Sequence, residues 1–379
     1  MKFKALPCPL FLFAFIVFTI NAAAQNITFD PWQNLSEQKN MPAPVKLQHS
    51  NNNLDLIKFH DKYYAAFRTA PNHFASAKAK LYVISSKDLK KWDYEYTISL
   101  KSDLREPRFA LLKDSLFLYF FRGGTRTFKF EPKEVLVTST SGNMQWTPPA
   151  NIGLDGFVPW RLRNKKDTLF LSAYYGKELY NEKHQSDLRL LKSADGRHYT
   201  PISKAPQIDI KTAEEGEFIF DAKNNLFATV RLEGSGSLIC RADKDSLYKW
   251  KFKRYKYKYD SALLFAHKDD IYLISRRNMD GPIDKSSDKK KSSRRHNLVR
   301  YSLTKKRTAL FKLDKENLEV TQVIDFPSTG DCSYPAVQQI NDHDFLVMNY
   351  SSNIHKKEKI WLRGQLGRTY IYWTVLHMQ

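Results

Sequence analysis

A repeated unit constrains the fold of this chain more than any other feature of its sequence. The unit is an apolar strand, a polar turn rich in Lys, Asp, Asn or His, and a second apolar strand. Six copies occur, with turns near positions 61, 114, 167, 224, 269 and 343. Such units are β-hairpins, and their spacing is close to that of four-stranded propeller blades. The sequence therefore predicts an all-β fold, a six-bladed β-propeller with four-stranded antiparallel blades.

A second short motif follows the early hairpins. Residues 86–92, 140–146 and 193–199 each combine Ser or Thr, Asp or Gly, and an aromatic ring at fixed offsets, and residues 243–250 form a longer version. These residue types favour a tight turn that is pinned by one ring. The motif is a structural device, so it says little about chemistry.

The N-terminal residues have the pattern of a secretory signal. Lys2 and Lys4 precede an apolar stretch over residues 10–20, and small residues continue to Ala24. The stretch is shorter than the ~20 residues that a membrane-spanning helix needs. We therefore expect cleavage of residues 1–24, a secreted or periplasmic protein, and no integral membrane association. Residues 25–379 are expected to form one propeller, because large all-β domains often run as a single unit.

The chain carries a formal net charge of +21 at pH 7, and much of it lies in two stretches. Residues 249–258 alternate basic with aromatic side chains, as a strand with a solvated charged side does. Residues 280–297 include a Ser/Lys/Arg run, which predicts a basic loop insertion. No nucleic-acid-binding motif accompanies these stretches, so nucleic acid is not expected as a partner. A basic surface also suits anionic glycans.

Cysteine usage and the absence of recognisable binding motifs exclude other classes of protein. Signal cleavage would leave Cys240 and Cys332, which fall in different repeats, so two separate thiols are expected rather than a disulfide framework. The sequence shows neither a metal-ligand constellation nor a nucleotide-binding loop, so we expect no metal and no cofactor. It leaves the oligomeric state open.

The strand ends nearest the propeller axis predict one shared site. The first strand of a blade leaves one face and the second strand returns to it, so these ends lie together. They collect Arg, Glu, Tyr and Trp, whereas the hairpin turns at the opposite face do not. An arginine cluster with carboxylates favours anion binding, although mutual pairing between blades would also satisfy it. The candidate residues at or beside these ends are Arg68, His73, Arg105, Glu106, Arg108, Trp160, Glu217, Arg231, Arg276, Asp331 and Tyr334.

The propeller, the pinned turns and these face residues together resemble the sialidase (neuraminidase) superfamily, whose turns are called Asp-boxes. The resemblance is one of pattern and covers roughly residues 50 to 378. Sialidases hold the substrate carboxylate with three arginines, which are best matched here by Arg68, Arg231 and Arg276. Guanidinium groups suit this role because they bind carboxylates through two parallel hydrogen bonds.

The resemblance also implies a catalytic pair. Sialidases use a tyrosine nucleophile activated by a glutamate, which corresponds here to Tyr334 and Glu217. The implied activity is that of an exported glycoside hydrolase acting on an acidic or otherwise anionic sugar. Further substrate contacts are expected from Arg105, Arg108, Trp160 and Asp331.

Three positions depart from the family pattern. The family tyrosine precedes a serine, whereas Tyr334 follows one and Cys332 occupies the usual place. The first arginine signature, Arg-Ile-Pro, is replaced by Arg-Thr-Ala-Pro starting at Arg68. No acid/base aspartate is recognisable after Arg68, so His73 or Glu106 is the candidate for that role.

Two other functions are compatible with the sequence. The first is a catalytically inactive propeller that binds glycans through the same arginines and Trp160. The second is a five-bladed glycosidase of the arabinanase or fructosidase type, which the stretch over residues 85–92 would also suit. Those enzymes need carboxylates spread around the axis, and six hairpins argue against five blades.

Overall fold

The computed structural model describes residues 26–177, 187–284 and 293–379. Their strands form six antiparallel sheets, which are the blades of a β-propeller. This confirms the predicted fold class and excludes the five-bladed alternative. The expected signal sequence, residues 1–24, and the centre of the basic insertion lie outside the described residues.

The chain starts at the outer edge of the last blade and then builds the first three blades in order. The N-terminal strands are β1 (Ile27–Phe29) and β2 (Gln33–Asn34), followed by a 3-10 turn (Gln38–Asn40). Blade one contains β3 (Ser50–Phe59), β4 (Lys62–Ala70), β5 (Lys80–Ser86) and β6 (Asp93–Ile98). Blade two contains β7 (Asp103–Leu112), β8 (Ser115–Gly123), β9 (Pro132–Thr140) and β10 (Ala150–Asn151). Blade three contains β11 (Phe157–Lys165), β12 (Thr168–Tyr175), β13 (Leu188–Ser193) and β14 (Thr200–Pro201).

Among the described residues, the last three blades include two short helices, one in blade five and one in blade six. Blade four contains β15 (Ala213–Phe220), β16 (Leu226–Leu232), β17 (Ser237–Ala242) and β18 (Lys251–Tyr255). Blade five contains β19 (Asp260–His267), β20 (Asp270–Asn278), β21 (Lys306–Asp314) and β22 (Glu319–Asp325), with helix α1 (Arg294–Ser302) before β21. Blade six contains β23 (Ser333–Gln339), β24 (Asp344–Ser351) and β25 (Tyr370–Met378), with helix α2 (Trp361–Leu366) before β25.

The N-terminal strands close the ring. Both β1 and β2 pair antiparallel with β25, with Ile27 opposite Met378 and Gln33 opposite Trp373. The beginning of the chain thus completes the sheet of the last blade. Closure of this kind leaves only short edges unpaired.

All six predicted hairpin turns connect the first strand of a blade to the second. Several turns are short and use a residue in the left-handed region, such as His60 and Lys113, each with φ of 51°. Positive φ at the turn matches the right-handed twist of the flanking strands. The polar turn chemistry read from the sequence therefore marks real strand boundaries.

The motif that follows the early hairpins forms the turn between the third and fourth strands. In blade one, the Ser86 hydroxyl donates to the Lys91 carbonyl at 2.6 Å, and the Asp88 carboxylate accepts from the Lys91 backbone N–H at 2.9 Å. In blade three, Ser193 and Asp195 accept backbone N–H groups of their own turn in the same way. Local side chain to backbone bonds therefore pin both turns.

Part of the predicted basic loop insertion is helical. Helix α1 starts after Ser293, whose hydroxyl accepts from the backbone N–H of His296 at 3.2 Å. Asn297 and Tyr301 lie four residues apart on one face and are buried, donating to the Gly234 carbonyl (2.8 Å) and to Asp260 (2.5 Å). These contacts hold the helix against blades four and five. Among the described residues, no helix is long and apolar enough to cross a membrane.

The two described cysteines, Cys240 and Cys332, are both free thiols and both buried, in blades four and six. This agrees with the expectation that they do not pair with each other.

Phe326 tests the contribution of the N-terminal strand to ring closure. Its fully buried ring contacts Phe29 at 5.1 Å and Trp32 at 5.4 Å between ring centroids. We expect Phe326→Ala to lower the free energy of unfolding by about 3–5 kcal/mol, because burial is lost and a cavity remains. Phe252→Ala, at a ring that is 46% exposed, is the control and should change it by less than ~1 kcal/mol. If urea titrations show that both variants lose the same free energy of unfolding, the contribution of the N-terminal strand to ring closure is contradicted.

Candidate functional site

A cavity of about 380 Å³ opens at the axial end where the first strands begin. All six blades line it, together with the loop after β4, the loop between β8 and β9, and both helices. This is the face on which the sequence placed the shared site. The blade residues include Asn53, Glu106, Tyr174, Glu215, Arg231, Ser261, Arg276 and Tyr334.

Every first strand carries a register irregularity close to this cavity. In five of the blades a non-glycine residue there has positive φ, which is a costly backbone conformation that tends to occur at functional sites. A bulge also re-aims the neighbouring side chains. The five residues are Asn53 (40°), Glu106 (54°), Glu215 (48°), Ser261 (50°) and Tyr334 (56°). All five line the cavity.

Tyr334 lies against a stack of large side chains. Its ring contacts the Trp160 ring at 5.3 Å, and the Arg108 guanidinium lies 5.3 Å from its centroid. Burial raises the pKa of Tyr334 well above its ordinary value, and the nearby carboxylates of Glu106 and Glu215 raise it further. The hydroxyl is therefore protonated at neutral pH.

Glu106 lies beside Tyr334 and is poised to exchange a proton. Its Oε1 accepts from Asn53 Nδ2 at 3.2 Å, and Arg108 Nη2 lies 3.6 Å from Oε2. Burial raises the pKa of Glu106 to about 7, against the opposing effects of Arg108 and the Tyr334 hydroxyl. A carboxyl group that titrates near neutral pH suits general acid/base catalysis.

His73 lines the cavity from the loop after β4, and Asp331 orients it. His73 Nδ1 lies 2.7 Å from Asp331 Oδ2, while Asp331 Oδ1 accepts from the Tyr350 hydroxyl (3.0 Å) and from Trp361 Nε1 (3.2 Å). Burial lowers the pKa of His73, although Asp331 acts in the opposite direction. We assign the proton of the neutral ring to Nδ1, which donates to Asp331 and leaves a lone pair on Nε2.

Arg231 lines the cavity among three carboxylates. Its Nε lies 3.0 Å from Glu214, its Nη1 contacts Glu215, and its Nη2 contacts Glu233. Although burial alone would raise the pKa of Glu233, Arg231 and Lys258 hold it well below the usual range. Burial raises the pKa of neighbouring Glu214 well above its ordinary value, although Arg231 acts in the opposite direction.

Two further arginines line the cavity, and each has a carboxylate partner. Arg105 Nε donates to Asp103 at 2.5 Å, and its Nη2 donates to the His73 carbonyl at 2.8 Å. Arg276 Nε donates to the Cys332 carbonyl at 2.7 Å, and its Nη1 lies 3.5 Å from Asp260. The three arginines at the cavity are therefore Arg105, Arg231 and Arg276.

Arg68, expected as the first arginine of a carboxylate clamp, does not line the cavity. It is fully buried beneath the loop that carries His73, where it donates to Asp103 (2.7 Å) and to the Phe74 carbonyl (2.9 Å). Its charge thus holds the loop in place instead of facing a ligand. Arg105 also contacts Asp103, and it is the arginine that reaches the cavity from this side.

Glu217, expected as the activating glutamate, also lies away from the cavity. It is fully buried and accepts from Arg161 Nε at 2.5 Å and from Arg163 Nη2 at 2.8 Å. The irregularity between Glu214 and Glu217 is the physical reason, because it turns Glu214 and Glu215 to the cavity instead.

Three other candidates lie one layer behind the cavity. Trp160 is fully buried, so it supports the Tyr334 ring and is not exposed as a sugar platform. Arg108 contacts Tyr334 and Trp160, and Asp331 contacts His73. Of the sequence candidates, the structure brings together His73, Arg105, Glu106, Arg231, Arg276 and Tyr334.

Sequence reasoning missed Glu215, Glu233 and the helix residues that line the cavity. Glu214 and Glu215 stand next to a glycine in the sequence, which is a weak signal for a bulge. Within the described ranges, no group of His, Cys, Asp and Glu side chains could hold a metal ion.

No family model matches the chain, and no curated protein matches its sequence. Among solved structures, a protein of unknown function from Dyadobacter fermentans has a TM-score of 0.69 at 13% identity, covering 93% of this chain and 99% of that one. Trypanosoma rangeli sialidase has a TM-score of 0.61 at 11% identity, covering 86% of this chain and 55% of its own. Phage phi92 endosialidase has a TM-score of 0.58 at 11% identity, and the match covers 94% of this chain and 69% of the endosialidase chain. The chain has the same fold as these proteins but spans about half the length of the T. rangeli sialidase.

Glu217→Gln tests whether this glutamate is structural. We expect it to lower the free energy of unfolding by about 3–5 kcal/mol, because it removes the carboxylate partner of Arg163 and leaves Arg161 with Asp55 at 3.5 Å. Glu134→Gln is the control, since Glu134 pairs at 2.5 Å with Arg122, whose side chain is 41% exposed. The control should lower the free energy of unfolding by no more than about 1 kcal/mol. A Glu217→Gln protein as stable as the control in guanidinium titrations would contradict the assignment.

Proposed function

We propose that this protein is a glycoside hydrolase whose active site is the axial cavity. The observation that carries the proposal is a proton-handling pair, Tyr334 and Glu106, in one cavity with a histidine oriented by Asp331. A buried carboxyl group with a pKa near 7 and a tyrosine with positive φ are both features that occur at catalytic sites. A sialidase and an endosialidase among the structures of the same fold support this choice of reaction.

In the proposed reaction, Tyr334 attacks the anomeric carbon and Glu106 accepts the proton of its hydroxyl. Activation is needed because the pKa of Tyr334 is raised by burial. Arg108 above the ring favours the negative charge that develops on the tyrosine oxygen. Glu106 takes the role that the family resemblance assigned to Glu217, since Glu217 is engaged by two arginines.

His73 is proposed as the acid/base residue. Its imidazolium form donates a proton from Nε2 to the leaving oxygen, and the neutral ring then accepts a proton from the water that releases the sugar. Asp331, with its 2.7 Å contact to Nδ1, stabilises the imidazolium and keeps Nε2 toward the cavity. Water thereby supplies the hydroxyl on the sugar, and Glu106 returns its proton to the oxygen of Tyr334 as the sugar is released.

A glycan-binding propeller without catalysis remains the second candidate function. The observation that favours it is the internal pairing of Arg231 with three carboxylates, which is the mutual satisfaction expected of a structural cluster. Both functions use the same cavity, so a measurement of glycoside hydrolysis distinguishes the enzyme from the binding protein.

Tyr334→Phe separates the enzyme from the binding protein. We expect kcat on a cleaved aryl glycoside to fall by ~100-fold or more, because the attacking oxygen is lost while the ring and its packing remain. KM should change little. Tyr199→Phe is the control, since Tyr199 is partly buried and contacts Tyr119 outside the cavity. Undiminished kcat in Tyr334→Phe would show that another group attacks the sugar.

The pH dependence of the reaction tests Glu106. The reacting form needs ionised Glu106 and protonated His73, and burial raises the pKa of Glu106 to about 7 while it lowers that of His73, so kcat/KM should fall on both the acidic and the alkaline side of an optimum below about pH 7. Glu106→Gln should be slow and should lack this acidic limb, because the amide does not titrate. If the acidic limb of the kcat/KM profile is unchanged in Glu106→Gln, a group other than Glu106 causes that limb.

We also propose that the protein is exported and loses residues 1–24. The support is the sequence pattern of a basic start, an apolar stretch and small residues before Gln25. Mature protein from the native host should begin at Gln25 when its N-terminus is determined by mass spectrometry. Exported protein that still begins with Met1 would contradict this.

A further inference from the structure

We infer that the sugar bound in the axial cavity is uncharged, a neutral polyhydroxy glycoside instead of one bearing a carboxylate. The inference rests on the proposed glycoside hydrolase function and specifies its substrate class. It differs from the acidic sugar that the sequence led us to expect. The reason is the way in which the cavity arginines are already neutralised by the protein.

Arg231 is the clearest case. A guanidinium group binds a carboxylate through two parallel N–H groups. Each nitrogen of Arg231 already faces a different protein carboxylate, from Glu214, Glu215 and Glu233. A substrate carboxylate would be a fourth carboxyl group around one cation, and ionised Glu233 would repel it.

The other two cavity arginines are also engaged. Arg105 donates to Asp103 and to a backbone carbonyl. Arg276 donates to the Cys332 carbonyl, lies 3.5 Å from Asp260, and has its planar face over the Trp361 ring at 5.3 Å. Both guanidinium groups therefore already have a carboxylate nearby.

The charge balance of the whole cavity agrees. Its described lining contains six carboxyl groups (Asp103, Glu106, Glu131, Glu214, Glu215, Glu233) and four Arg or Lys side chains (Arg105, Lys129, Arg231, Arg276). Burial raises the pKa of Glu106, Glu214 and Glu215, but each cavity arginine still has a carboxyl partner within the protein. An anion that enters the cavity would lose its hydration without meeting an arginine that lacks such a partner, which is unfavourable.

Uncharged groups supply the remaining hydrogen-bonding capacity. Asn53 Oδ1 is buried and has no hydrogen-bond partner among the residues described. Burial and neighbouring glutamates keep the pKa of Tyr174 well above its ordinary value, so its hydroxyl is neutral. Sugar hydroxyls both donate and accept hydrogen bonds, so they match an amide oxygen and a tyrosine hydroxyl. The cavity volume is in the range of small-ligand sites.

Matched substrates that differ in one group test the inference. For both anomers, 4-nitrophenyl glucosides and galactosides would be compared with the corresponding glucuronides and galacturonides, which replace a CH₂OH group by a carboxylate. A 4-methylumbelliferyl sialoside extends the acidic set. We expect kcat/KM to be at least about tenfold higher for neutral members. Preferential hydrolysis of the acidic members, or of the sialoside, would overturn the inference.

Binding measurements separate failure of the inference from failure of the proposed function. Calorimetric titration would use the methyl glycosides of the same neutral and acidic sugars. If no glycoside is cleaved but neutral sugars bind better, the hydrolase proposal fails and the substrate class stands. If acidic sugars bind better, the substrate class is wrong whether or not cleavage occurs. If neither set binds or reacts, both proposals fail.

Glu233→Gln tests the physical reason directly. Removing this carboxylate frees one edge of Arg231, so the ratio of glucuronide to glucoside affinity should rise by about tenfold. Glu134→Gln is the matched control, because it removes the carboxylate partner of Arg122, an arginine that does not line the cavity. Folding of both variants is checked by circular dichroism. An unchanged affinity ratio in folded Glu233→Gln would show that the pairing of Arg231 does not set the preference. If the variant does not fold, the substrate comparison on the unmodified protein tests the inference instead.

Discussion

Buried ion pairs between first strands are the interaction on which the rest of this structure depends. Glu217 on β15 accepts hydrogen bonds from Arg161 and Arg163 on β11 and from the backbone of Leu264 on β19. One carboxylate thus joins blades three, four and five, and Arg161 extends the network to Asp55 in blade one at 3.5 Å. Because removal of one partner leaves an uncompensated buried charge, the loss of any single member of this network destabilises the fold.

The same pairing determines what the cavity can do. Arg68, Arg105, Arg231 and Arg276 all have carboxylate partners within the protein, so their charges mainly hold blades and loops together. The reactive chemistry is left to groups whose proton affinities the surroundings alter. Burial raises the pKa of Glu106, whereas it lowers that of His73. These opposite shifts favour protonated Glu106 and neutral His73, so the proposed reaction uses the reverse protonation state of the pair.

The bulges connect the fold to the site. In five of the six first strands, the irregularity near the start of the strand brings a polar residue to the cavity at the cost of positive φ. The packing of neighbouring blades keeps these residues in that conformation. A fold shared with a sialidase and an endosialidase provides this geometry, but one fold hosts many activities, so the chemistry depends on the particular side chains.

The sequence alone determined the number of blades, their hairpin turns and the face that carries the site. These features depend on local information, namely strand periodicity and turn chemistry within about ten residues. It also named several cavity residues, including Tyr334 and Arg231, because strand ends follow from the hairpins. Contacts between blades place Glu215 instead of Glu217 at the cavity, pair Arg231 with carboxyl groups, and bring residues of α1 to the cavity wall. Bulge register and ion-pair partners depend on contacts between blades that are distant in sequence, so no local pattern specifies them.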